Sequence, residues 1–391
     1  MSNFLNAKGR ARGQRSGFST VRENLSGVDK WLMSASTALL LLGSILVWAA
    51  TRPWFAAQHL DPQYYLKRHI FNIIIGALLA YGTTLIDYRM IRAYTPFLWG
   101  LGVLGLIAVL LPGLGSTVNG AKSWIALPGG FQLQPAELAK ISVIAGMAML
   151  LSEVRDRDQG PSHSDVLKAL GVALVPMALI MLQPDLGEAL IISAAVIGII
   201  AVSGAPSRWV VGLLLVGVLT SFVAVKAGVI HSYQVKRLQA FVDPAADPQQ
   251  SGYQLRQSRI TIGSGGVLGR GLFEGPQTNG RFVPEQQTDF IFTVAGEELG
   301  FLGSGFILIC FMIFFFRAFM IARRTNDPFG RLVCIGVIAW FAFQTFENIG
   351  MTMGLMPMTG VPLPFMSYGG SSMFANLVGL GLLQNVHIRS R

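Results

Sequence analysis

Hydrophobic residues fall along this chain in long unbroken runs, unlike the alternation of half-buried strands or the three-and-four spacing of soluble amphipathic helices. The runs lie at 31–50, 69–86, 96–113, 138–152, 166–181, 186–204, 208–228, 300–322, 331–353 and 371–388. A bilayer core needs roughly 20 apolar residues in helical form, with about 17 as the lower limit. The pattern therefore predicts an all-α integral membrane protein of about ten transmembrane helices. A long extracytoplasmic loop, 229–299, is expected between helices 7 and 8. Residues 1–30 hold no such run. They are polar, basic and rich in Ser and Gly, which predicts a disordered cytoplasmic tail ahead of a single polytopic membrane domain over 31–388. No small-residue cleavage site follows the first run, so the stretch from Trp31 to Ala50 reads as a retained helix.

Charge sets the orientation. Arg89 and Arg92, Arg155 and Arg157, Arg208, then Arg323, Arg324 and Arg331, and finally Arg389 and Arg391 all fall in connections that an inside N-terminus places in the cytoplasm. Both termini are therefore expected there. The outer connections are less clean, since Arg52, Lys67 and Arg68 are also basic. Overall, 13% of residues are charged, against about 25% in a soluble domain. The net charge of +10 belongs largely to these short basic pieces, which argues for a membrane surface and against nucleic acid. Cys310 and Cys334 lie inside apolar runs, so no disulfide framework is implied, and the five histidines are scattered without metal-ligand spacing.

The unusual polar segments all fall on the predicted outer side. Most prominent is RFVPEQQTDFIFTVAGEELG, 281–300, where Asp289 abuts Phe290, Ile291 and Phe292, and Glu297 and Glu298 follow. An acid at the edge of hydrocarbon is costly and needs a reason. One is a helix N-cap; the other is chemistry. In QPAELAK, Glu137 suits the positive end of a helix but Lys140 opposes it, so the two either pair at i,i+3 or hold a fixed cation for an anionic ligand. Lys122 and Trp124 would add a second cation and an aromatic surface, although Trp also anchors at interfaces. QPDLGE puts Asp185 and Glu188 in a short hairpin between two apolar helices. It reads equally as a solvated turn or with Asp185 as the cap of the next helix or a support of the outer site. SYQVKRLQAFV and GYQLRQSRITI read as interfacial helices, and the GSGG that follows reads as a plain turn more readily than a phosphate cradle. MPMTGVPLPFMSYGGSS puts irregular backbone at membrane depth, which is tolerated only when buried or lining a polar cavity.

Taken together, QPAELAK, QPDLG, IGSGG, PEQQTDFIF with AGEELG, and MPMTGVPLPFMSYGGSS resemble the SEDS family of bacterial membrane proteins. The likeness runs from VDKWL to the last helix. It is closest to the RodA members; GPQTNGRFVPE favours these over the FtsW paralogues. The resemblance implies ten helices and a peptidoglycan glycosyltransferase that polymerises lipid II into a growing glycan strand outside the cytoplasmic membrane, for cell elongation and rod shape. It implies as partners a class B penicillin-binding protein transpeptidase and other elongation-machinery membrane proteins. The family's catalytic aspartate falls on Asp289. Lys122, Trp124, Glu137, Lys140, Asp185, Glu297, Glu298 and Ser367 are expected to bind or support, and a divalent cation, Mg2+ or Mn2+, could assist. Family members often carry His where this chain has Gln287 and Arg where it has Ser123, so neither side chain can be essential here. A lipid II flippase and a non-catalytic scaffold are the alternatives.

Overall fold

The computed structural model describes residues 27–118, 121–128, 131–153, 160–226, 232–243, 247 and 249–390. The expected N-terminal tail, apart from its last residues, lies outside these, as do Arg155, Arg157 and Arg391. Among the described residues, ten helices of 17 to 28 residues match the ten apolar runs one for one. They are α1 Lys30–Ala57, α2 Tyr64–Leu85, α3 Tyr88–Leu110, α4 Pro135–Ser152, α5 His163–Leu182, α6 Leu186–Val202 and α7 Arg208–Lys226, then α12 Gly300–Arg324, α13 Pro328–Met353 and α14 Gly370–Arg389. Six are long and apolar enough to cross a membrane by length and composition alone, and α6 and α7 are shorter apolar helices. The protein is a multi-pass membrane protein.

Local chemistry sets the helix ends. Asp29, Asp87, Asp185 and Asp327 each cap a helix by accepting a backbone N–H, and Ser162 with Asp165 forms a capping box on α5. α13 closes on Gly354 at φ 76°, a left-handed cap that glycine adopts without penalty.

Burial divides the bundle into centre and rim. α4 and α13 are mostly enclosed by other helices, whereas α3 and α7 turn Phe97, Leu104, Leu215 and Val218 outward, as lipid-facing helices do. Pairs pack closely where one side is small: Gly336 faces Ile144, and Gly198 faces Ala339. At one end the start of α1 meets α12 and α14. Buried Asp29 is ion-paired with Arg317 on α12; its N–H donates to Gln384 Oε1 at 2.8 Å, and Gln384 Nε2 donates to its carbonyl at 3.2 Å.

Two features depart from the plain helical expectation. Between α3 and α4 the chain folds into a three-stranded antiparallel sheet, β1 Gly115–Val118, β2 Ala121–Leu127 and β3 Phe131–Leu133, in the order β1-β2-β3. The segment between α7 and α12 is itself helical: α8 Ser232–Val242, α9 Ser251–Ser264, α10 Pro276–Asn279 and α11 Ile291–Glu298. The basic residues of its amphipathic pieces are partly spent on the protein's own backbone, since Arg259 donates to the carbonyls of Met353 and Gly354 at the end of α13. GSGG packs against α11: a Cβ at Gly265 would lie 2.0 Å from the Gly296 carbonyl oxygen. Gly265 is there for close backbone approach, and Gly266, at φ 58°, for a left-handed backbone.

Candidate functional site: two cavities divided by Asp289

The polar motifs, far apart in sequence, converge at the bundle end opposite Asp29. A cavity of about 550 Å3 opens there, walled by the start of α2, by β2 and β3, by the N-termini of α4, α6 and α14, by α8, and by the loops 285–289 and 357–362. The irregular segment before α14 is buried and lines it, as expected for non-helical backbone at this depth. Beside it lies a second cavity of about 540 Å3 against α9 and Phe290. Arg237, Glu285, Asp289, Met358 and Gly360 line both, so they form the partition.

Asp289 sits in that partition by local geometry. The turn after Pro284 folds back on itself, with the N–H groups of Asp289 and Phe290 donating to the Glu285 carbonyl. α11 then begins at Ile291, its cap position is Phe290, and no side chain caps it. Asp289 is therefore not the helix cap, and the bland explanation for an acid here is removed. Asn348 Nδ2 fixes the backbone by donating to the Asp289 carbonyl at 2.7 Å and to the Val361 carbonyl at 2.7 Å. Gly360, at φ 79°, brings its backbone so near that a Cβ would lie 3.2 Å from Asp289 Oδ2. Burial lifts the Asp289 carboxyl to about 7, and the charge of Glu285 adds to the lift while Arg237 opposes it. Such a group changes protonation near neutral pH, as a general base requires.

Of the other expected residues, Trp124 and Asp185 line the larger cavity. Asp185 does two things: Oδ1 accepts the Glu188 N–H at 3.2 Å and Oδ2 accepts Gln134 Nε2 at 2.9 Å. Lys140 and Glu137 lie behind the wall, both 1% exposed. The Lys140 ammonium is 2.8 Å from Glu137 and 3.0 Å from Glu188, and stands over the Trp340 ring at 4.8 Å. Glu347 is buried within electrostatic reach of Lys140 and Asp185. Of this group, Glu188 and Asp185 face the cavity. Lys122 donates to the Leu110 and Leu111 carbonyls at 3.0 Å each, closing the end of α3. Glu297 accepts the N–H groups of Gln277 and Thr278 and the Thr278 hydroxyl, which holds α10 in place. Glu298 is buried beside it and lines neither cavity. Ser367 Oγ accepts the Leu363 N–H at 2.8 Å and shapes the turn before α14. These four stand outside both walls.

Sequence reasoning missed Arg68, Gln134, Glu188, Gln234, Arg237 and Glu285, all of which line the larger cavity. Arg237 donates to the Thr359 carbonyl at 3.2 Å and Gln234 to the Pro184 carbonyl at 2.9 Å. Their setting in a helix that alternates basic and apolar residues looked like a membrane-surface pattern. Glu285 carried a usable signal, an acid four residues before Asp289.

A family described as "Cell cycle protein", comprising FtsW, RodA and SpoVE, matches residues 30–391. Stage V sporulation protein E of Bacillus subtilis (strain 168) is 37% identical over 365 residues, covering 93% of this chain and 98% of that protein. The peptidoglycan glycosyltransferase MrdB of Escherichia coli K12 is 34% identical over 356 residues, covering 90% and 92%. Among solved structures, a chain of a peptidoglycan synthase complex that coordinates polymerization and crosslinking superposes with TM-score 0.76 at 31% identity, covering 92% of this chain and 97% of that one. The rod shape determining protein RodA of Thermus thermophilus superposes with TM-score 0.66 at 29% identity, covering 92% and 96%. The motifs, the ten-helix bundle and matches that span nearly both lengths agree: the chain belongs to the SEDS family, with FtsW, RodA and SpoVE.

Proposed function

We propose that this peptidoglycan glycosyltransferase polymerises lipid II at the outer face of the cytoplasmic membrane for cell elongation, with Asp289 as general base. The observation that carries the reading is the position of a carboxyl near pH 7 between two cavities. One cavity takes the donor lipid-linked sugar and the other the end of the acceptor strand. The acceptor hydroxyl gives its proton to Asp289 as its oxygen bonds to the donor's anomeric carbon. The bond from that carbon to the diphosphate breaks, and undecaprenyl diphosphate leaves. Among the described residues no cluster of three His, Cys, Asp or Glu side chains could hold a metal. A Mg2+ or Mn2+ held mainly by diphosphate and water would need no such cluster; bound there, it would offset the leaving group's charge.

Lipid II turnover by the purified chain with a class B penicillin-binding protein, in detergent where no leaflet exists to cross, is the direct test. Glycan polymer is expected, and its absence would sink the reading. A flippase needs polar groups along a whole crossing path. Here the polar motifs gather at one end, and the acids Glu137 and Glu188 behind the cavity wall both pair with Lys140.

Two further outcomes are expected. Activity should rise with pH through about 7, since the base works deprotonated. Glu285→Gln removes one cause of the lift, so the acidic limb of the rate profile should move to lower pH. A profile that stays put, or moves upward, would count against Asp289 as the titrating group. For topology, the loop between α7 and α12 is placed outside and the α12–α13 connection inside. Ser251 and Thr325 are buried, whereas Gln249 and Asn326 are exposed. Single cysteines at Gln249 and Asn326 should therefore differ in spheroplasts, the first labelled by an impermeant reagent and the second not. The reverse pattern inverts the orientation.

A further inference from the structure

Three helix N-termini face the larger cavity, and two bring their own anion. α4 has Glu137 in its first turn, and α6 has Asp185 as cap and Glu188 behind it. α14 has neither: Gly369 is its cap residue, no side chain caps it, and its first turn holds no acid. Its leading residues Gly369, Gly370 and Ser372 line the cavity. The first N–H groups of a helix have no partner within it and carry about half a unit of positive charge between them.

Two side chains on α2 are aimed at this end. Asn72 is 2% exposed and lines the cavity, and its Oδ1 has no hydrogen-bond partner. Its carboxamide nitrogen lies 3.7 Å from where a Cβ on Gly370 would stand. A buried carboxamide left short of a partner at a cavity wall points to a ligand that completes it. The amide N–H suits a phosphate oxygen, and the unused Oδ1 suits a sugar hydroxyl or N-acetyl N–H. One helical turn earlier, Arg68 lines the same wall, its guanidinium 5.1 Å from the Tyr64 ring and 5.2 Å from the Phe131 ring. Elsewhere the lining is acidic, with Asp185, Glu188, Glu285 and Asp289, and the other lining arginine, Arg237, stands beside Asp289. An anion entering the cavity finds its complement at the α14 end.

We propose that the N-terminus of α14, with Asn72 and Arg68, is the subsite for the diphosphate of a prenyl-linked sugar. This rests on the glycosyltransferase reading above. Helix N-termini hold phosphates by aimed N–H groups and dipole together, and the prenyl chain can leave the cavity between helices into lipid.

The test uses the full chain in detergent and reads equilibrium binding of farnesyl diphosphate, with inorganic pyrophosphate as a second probe. Gly369→Asp is the decisive variant. Gly369 has extended backbone at φ 175°, and a Cβ there meets nothing nearer than Ser372 Cβ at 3.5 Å. Aspartate is a favoured N-cap, so the variant should be folded and at least as heat-stable as wild type, yet it places an anion on the N–H groups. Gly369→Asn caps equally well without charge. Farnesyl diphosphate affinity is expected to fall at least about tenfold in Gly369→Asp and clearly less in Gly369→Asn. Arg68→Gln should weaken binding as well. Unchanged affinity in Gly369→Asp would overturn the subsite, as would an equal loss in both Gly369 variants. Pyrophosphate bound as tightly as farnesyl diphosphate would overturn the assignment to a lipid-borne group. Because binding is read without turnover, a wild type that binds with this pattern but makes no glycan supports the subsite and removes only the enzymatic reading.

Discussion

Replacing Asp289 with asparagine is expected to lower glycan polymerisation by about 100-fold or more, the usual span for a lost general base. The substitution keeps the side chain's shape and removes its proton-accepting charge. The backbone contacts that hold residue 289, from Asn348 and to the Glu285 carbonyl, do not involve the side chain and survive the change. With α11 starting at Ile291 and capped by no side chain, no helix end is disturbed either. Protein yield, thermal stability and co-purification with a penicillin-binding protein should all stay at wild-type level. Lipid II turnover by purified wild-type and mutant complexes measures the difference. A mutant that polymerises as fast as wild type would remove Asp289 from the reaction, and one that fails to fold would call for Asp289→Glu as a shape-shifted control with its charge restored.

The second large effect belongs to Lys140. Its ammonium is shared by Glu137 and Glu188, and all three are almost completely enclosed. Lys140→Met would strand two carboxylates away from water, a change worth about 3–5 kcal/mol when a buried pair is broken. The expected result is loss of folded protein, seen as aggregation on size exclusion and a lowered Tm in detergent. Adding Glu137→Gln and Glu188→Gln to the same chain removes the stranded charges and should restore most of the Tm. Exchanging Glu137 and Lys140 is a poorer experiment, because a glutamate at 140 would face Glu188. A Lys140→Met protein that melts like wild type yet no longer polymerises would instead assign this ammonium to the substrate's diphosphate.

The case of Lys140 shows where the sequence was readable and where it stopped. Apolar runs located all ten long helices, since in a membrane the length of an apolar run is itself the structural rule. The i,i+3 spacing of Glu137 and Lys140 announced their pairing, but Glu188, 48 residues away, gave no local sign of joining them. Asp289 stood out because an acid against hydrocarbon is costly and a helix cap was the one bland reason on offer. Arg237 and Gln234 did not, because a basic amphipathic helix has the same composition whether it lies on lipid or folds back over a cavity. The small sheet at 115–133 was hidden for a similar reason: its strands are short, and in AKSWIAL the alternation is brief. Lys122 was read as a second cation for an anionic ligand because a cation near a site looks alike on either side of a wall. Only the fold shows that it faces the carbonyls of α3.

The contact between Asp29, Arg317 and Gln384 bears on how the molecule is made. Arg317 lies 288 residues beyond Asp29, and Gln384 lies 355 beyond it. While a ribosome is still producing the intervening helices, the acid at the head of the first one has neither counter-ion nor amide partner. It must wait at the aqueous rim, because an unpaired carboxylate does not enter the interior. The bundle is thus sealed at that end last, after α14 is inserted. A product truncated before α12 leaves the Asp29 charge unpaired, and one truncated between α12 and α14 still lacks the Gln384 amide that closes its backbone groups.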